Sequence, residues 1–262
     1  MLPLVVTAVI AAATATVLGG GPHAVASQIA LALPARAMDL ARLGATIGAL
    51  AGTIIVLGGR VAGDLQRIRT AASSERGRGD LVGLAVAAGV GVVGHGLLEP
   101  LARDMSATAI GAGLGLLATS VALGSIGVAR TPVCRFASPA VGALAGAGLA
   151  MGALPGGAPI ALAIAALVWS GLAEIDAFEI ATLAALPLHA VALACGLDEG
   201  TLSAVTFAPG HAAAAAAIGA VAASLAIVGL RRLARAGSLA MTALYTGTLS
   251  LALFGYAYVA AP

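Results

Sequence analysis

Lysine is absent from this chain, and charge of either sign is scarce. All 13 basic side chains are arginine; with 11 acidic ones they bring the charged share to 9% of 262 residues. A soluble domain carries about a quarter, so the composition excludes water as the main solvent of the folded surface. A net charge of +2 also excludes the broad basic face that nucleic-acid binding requires. Cys134 and Cys195 are the only cysteines, and neither spacing nor neighbours match a metal or redox motif. No metal and no cofactor is expected.

What is present is apolar and small. Apolar residues make up 60% of the chain, aromatics only 3%, and 36 residues are glycine; the mean hydropathy is +1.06. In lipid, helices associate through close backbone contact at small residues, so this composition predicts tightly packed membrane helices. The first 18 residues resemble the apolar core of a signal peptide but lack a basic leader, and they read as a retained membrane segment.

Apolar runs long enough to cross a bilayer fall at 39–58, 81–98, 108–128, 176–194, 210–229 and 238–259, which predicts an all-α integral membrane protein with about six full spans. Two more apolar stretches, 3–33 and 138–170, are interrupted by Gly19-Gly20-Gly21-Pro22 and by Pro155-Gly156-Gly157-Ala158-Pro159. Each reads as a helix followed by a broken or re-entrant piece, at about 19–33 and 155–170. Backbone released from helical bonding is tolerated at membrane depth only where protein buries it or a polar cavity solvates it.

Arginine sets the orientation. Five arginines fall in 59–80, two in 129–137 and three in 230–237, whereas 195–209 has none, so the first three connections are assigned to the cytoplasm and the C-terminus to the other side. At an offset of 137, Gly19–Pro22 falls on Gly156–Pro159, Asp39 on Asp176 and Arg42 on Glu179. The span after the first break must end in the cytoplasm and the span after the second must begin there. This is the pattern of an inverted-topology repeat, with halves at 1–128 and 138–262 forming one membrane domain and paired breaks marking a midplane site.

The order of these features resembles the undecaprenyl-diphosphate phosphatases of the BacA/UppP family over nearly the whole chain. Leu43 to Leu50 is similar to the family's Q-L-G-S-I-L-A-V stretch, with Arg42 in place of the glutamine. Gly96-Leu97-Leu98 is similar to G-L-L-F, Pro155-Gly156 to the start of P-G-x-S-R-S-G, and Glu179 to Pro187 to E-F-S-F-L-L-A-V-P. The resemblance implies inverted repeats, two re-entrant regions, a polyprenyl phosphate as ligand and a multi-pass place in a bacterial inner membrane. The family's catalytic residues are largely missing. Aligned on Pro22, its two glutamates fall on Ala15 and Gly19, its serines on Ala24 and Val25 and its histidine on Gln28; aligned on Pro155, serine, arginine and serine fall on Ala158, Pro159 and Ile160. Phosphoryl transfer needs a nucleophile, a proton shuttle and cations on the developing charge, and these positions supply none.

Ionisable groups inside membrane spans are functional candidates. His23, Ser27 and Gln28 follow the first break and are candidate headgroup donors, with Gly156 and Gly157 at the second break. Arg42 and Glu179 occupy repeat-equivalent positions; they either form an ion pair, or Arg42 holds a phosphate that Glu179 releases, or both extend to the headgroups. Asp39 and Asp176 suit helix N-termini. His189 lies mid-span and is the candidate buried titrating group, while His95 and Glu99 are i,i+4 neighbours near an interface. The expected activity is binding, and translocation, of a polyprenyl phosphate or similar anionic lipid by a catalytically degenerate relative of the family. The alternatives are a divergent undecaprenyl-diphosphate phosphatase and a non-catalytic membrane scaffold; assembly as a homodimer or with a partner subunit stays open.

Overall fold

The computed structural model describes residues 43–44, 46–59, 75–106, 109–128, 138–154, 157–196 and 209–260. Every regular element among them is helical: α1 (Thr46–Gly59), α2 (Glu75–Ser106), α3 (Ala109–Ile126), α4 (Pro139–Met151), α5 (Pro159–Trp169), α6 (Glu174–Ala184), α7 (Leu186–Gly196), α8 (Pro209–Arg235), a single 3-10 turn (Leu239–Met241) and α9 (Thr242–Ala260).

The helix limits follow local chemistry. α4 starts where Ser138 caps it, its hydroxyl accepting from the Val141 amide, with Pro139 in the first turn, where a missing N–H costs nothing. α5 ends at Trp169 with Ser170 as its cap, and the chain then turns at Gly171, whose φ of 94° suits a residue without Cβ. Glu174 and Asp176 occupy the first turn of α6 and Arg232 and Arg235 the last turn of α8, each on the side the helix dipole favours. Asp176 thus stands where a helix N-terminus favours an acid, although Ala173 is the cap and supplies no side-chain bond.

Three boundaries differ from expectation. The 176–194 run is two helices, α6 and α7, meeting at Ala185, because Pro187 has no N–H to continue the ladder. Helix α2 continues past Pro100 to Ser106, so Glu99, Arg103 and Asp104 stand on a helix instead of in a connection. Helix α8 continues to Arg235 and places Arg231, Arg232 and Arg235 on its final turns.

The helices pack through glycine. On α4, a side chain at Gly142 would run into the Gly83 carbonyl of α2, and one at Gly146 into Ala87 and Val90; further along, Gly91 meets Leu149 and Gly94 meets Ala150. The numbers rise together, so α2 and α4 are parallel. Gly48 and Gly52 of α1 meet Gly219 and Ala223 of α8 in the same way, so this pair is parallel too. α3 and α9 are antiparallel: Ser120 donates to the Ala243 carbonyl (2.7 Å) and Ser250 to that of Gly113 (2.7 Å). α4 and α5 form an antiparallel hairpin, with Gly148 against Ala163 and Gly152 against Pro159.

Contacts at the helix ends fix how these pairs align. Trp169, at the end of α5, donates through Nε1 to Ser125 near the end of α3 (2.8 Å). Glu174, at the start of α6, accepts from the Leu239 amide just before α9 (2.9 Å). The C-terminal ends of α1, α3, α5 and α8 therefore share one end of the bundle with the N-terminal ends of α2, α4, α6 and α9.

Burial is graded from the centre outward. α5 is buried nearly all round, as are Ala177, Phe178, Ala181 and Ala184 of α6. The outer faces are apolar as well: Ile54 and Ile55 on α1, Val93 and Leu97 on α2, Val121 on α3, and Val221 and Leu225 on α8 are all exposed. Exposed apolar area this extensive is a liability in water and ordinary in lipid. Helix α8, 27 residues long, is long and apolar enough to cross a bilayer.

Candidate functional site

The α4–α5 hairpin turns at the second glycine/proline break. Gly157 is buried there, its amide donates to the Leu154 carbonyl (2.8 Å), and a Cβ would lie 2.7 Å from the Met151 oxygen. That glycine closes the turn, and its N–H is used within the hairpin. Ala158 and Pro159 then begin α5 with no side-chain cap. His23, Ser27, Gln28, Arg42 and Gly156 lie outside the described residues.

Glu179 stands on α6 facing α8. Its Oε1 accepts from Arg231 Nε at 3.1 Å, and the side chains are 13% and 20% exposed respectively. A charge-assisted bond at this degree of burial contributes about 1.5–3 kcal/mol, more than an exposed pair of about 0–1 kcal/mol. One turn earlier on α6, Glu174 accepts the Leu239 amide at the turn where Gly237 takes a φ of 64°. Two carboxylates of one short helix therefore hold the end of α8 and the start of α9.

His189 is buried on α7, which packs against α2. Its Nε2 has no hydrogen-bond partner among the described residues, and His95 of α2 lies within electrostatic range. The buried hydroxyls behave differently. Thr53, Thr119 and Thr182 donate to carbonyls four residues earlier in their own helices, so none of them points a donor at a ligand. A groove along α2 lined by Gly89, Val90, Val93, Gly94 and Leu97 is wholly apolar. Among the described residues, no three His, Cys, Asp or Glu side chains are grouped to hold a metal.

The structure thus joins Glu179 to a residue that sequence reasoning explained by topology alone, Arg231, and adds Glu174, which it did not single out. Glu174 had a local signal, an acid in the first turn of a helix. Its target, 65 residues away, had none. No family model matches the chain, and no curated protein matches it.

Proposed function

We propose that the chain is a multi-pass membrane protein of two inverted halves that binds a polyprenyl phosphate or similar anionic lipid and carries it across the bilayer, as a catalytically degenerate relative of the BacA/UppP phosphatases. The observation that carries this reading is the α4–α5 hairpin. At 1.5 Å per residue, α4 and α5 reach only about 20 Å and about 16 Å, against a hydrocarbon core of about 30 Å. A hairpin too short to cross, with α5 buried nearly all round, is what a re-entrant segment requires, and its turn brings a helix start into the interior, where such starts bind anionic groups in transporters.

Helix direction supports the inverted halves. The helix ends flanking 60–74, those flanking 129–137, and the arginine-bearing end of α8 are the same end, in keeping with a cytoplasmic face. Under the offset of 137, α1 falls on 183–196, the end of α6 and α7, while α2 falls on α8 and α3 on α9; the last two correspondences join helices of opposite direction. The contact of α1 with α8 then has its counterpart in the contact of α2 with α6 and α7. Gly113 and Ser250, themselves 137 residues apart, touch each other, as equivalent positions do beside a two-fold axis. The likeness to the phosphatases rests on sequence motifs alone.

Purified protein in liposomes, supplied with a polyprenyl phosphate in one leaflet, should equilibrate it between leaflets faster than protein-free liposomes. Equal rates would remove the carrier reading. Robust phosphate release from a polyprenyl diphosphate, lost in Glu179→Gln, would replace it with the phosphatase. Persistent co-purification of a second subunit, without transport, would favour the scaffold.

A further inference from the structure

The end of the bundle that carries the arginines is closed by polar ties between two units. One unit is the hairpin helix α5 with α6, joined through the tight Gly171 turn; the other is α8 with the turn into α9. Across the gap run the Glu179–Arg231 pair and the bond from the Leu239 amide to Glu174. Arg231 reaches Glu179 through Nε, and both side chains are partly exposed, so this bond can break and re-form. Arg232 and Arg235, on the same turns, are exposed. Glu174 and Glu179 of α6 thus both meet the end of α8 and the turn that follows it.

We propose that Glu179 and Arg231, aided by Glu174 on the Leu239 amide, form a latch that holds α6 against α8 and exposes the face between them when it opens. What the latch gates rests on the carrier reading; its closure is a property of the fold and is testable without transport. Ala234 is buried on the same face of α8 as Arg231, one turn on, while Ala145 is buried on α4, outside the α6–α8 junction.

The test is thiol modification by a bulky, impermeant maleimide in nanodiscs, in a background with Cys134 and Cys195 replaced by serine. Introduced at Ala234→Cys, the thiol should react at least ten-fold faster when Glu179→Gln is added. The exchanged pair Glu179→Arg with Arg231→Glu should restore the slow rate, and Ala145→Cys should stay protected throughout. An unchanged rate in Glu179→Gln would overturn the latch. So would failure of the exchanged pair to restore protection, or an equal rise at Ala145→Cys, which would mean the pair supports the whole fold. Lipid translocation in the same variants is read separately, so loss of the carrier reading leaves the accessibility result standing.

Discussion

α2 and α4 meet with no side chain between their backbones at Gly83 and Gly142, whereas α3 and α9 keep side chains between them and reach across with the hydroxyls of Ser120 and Ser250. The first contact depends on shape: two backbones close enough for Cα–H groups to face carbonyl oxygens gain dispersion over a long stretch. The second depends on two directed bonds from buried or half-buried donors. Under the multi-pass reading proposed above, lipid removes the hydrophobic force between helices and these are the two ways left to hold them together; they fail differently. A shape contact is lost by adding an atom, a directed contact by removing one.

The largest effect is expected at Gly142. Alanine there puts a methyl group into the Gly83 backbone, which cannot swing aside as a side chain would, so α2 and α4 must separate. Overpacking of this kind costs about 1–3 kcal/mol, read as a lower midpoint in reversible SDS unfolding from mixed micelles. The same substitution at Gly229 of α8 meets nothing within 4 Å and should act through helix propensity alone, raising stability by about 0.5–1 kcal/mol. If both glycines tolerate alanine equally, the close approach of α2 and α4 is not what holds them.

Helix α3 was legible almost to its limits, Ala109–Ile126 against an expected 108–128, because it is an uninterrupted apolar run. Where expectation fell short, the cause was a residue that hydropathy does not weigh. Pro187 is apolar by scale yet breaks the 176–194 run, and Arg231 to Arg235 are polar by scale yet stay helical where the C-terminal dipole favours them. Charge counting assigned Arg231 to an end of the bundle without naming its partner, since Glu179 lies 52 residues away and only the antiparallel packing of α6 on α8 joins them. The interruption between α4 and α5 falls at the glycine/proline break, but whether its amides are spent within the turn, as that of Gly157 is, depends on backbone geometry that composition does not encode.

The directed contacts should be milder. Ser250→Ala removes the bond to the Gly113 carbonyl; interhelical bonds in membranes average about 0.6 kcal/mol, so a small drop in the SDS midpoint is expected, with α3 and α9 still paired. A loss as large as that of Gly142→Ala would mean that hydroxyls, not shape, dominate the bundle.

The smallest effect belongs to hydroxyls that bond within their own helix. Thr182 is buried, but its donor goes to the Phe178 carbonyl four residues back at 2.6 Å, and that carbonyl already faces the next turn's amide in the helical ladder. Valine has nearly the same shape and leaves no polar group stranded, so Thr182→Val should shift stability by less than about 0.5 kcal/mol in the same unfolding titration. Since Thr182 lies one turn beyond Glu179 on α6, the substitution also separates packing from polar linkage there. A shift of more than about 1 kcal/mol, large by the standard of neutral substitutions, would show that the hydroxyl serves a partner beyond its own helix, and would place α6 with the directed contacts of α3 and α9 instead of with the backbone-packed pairs.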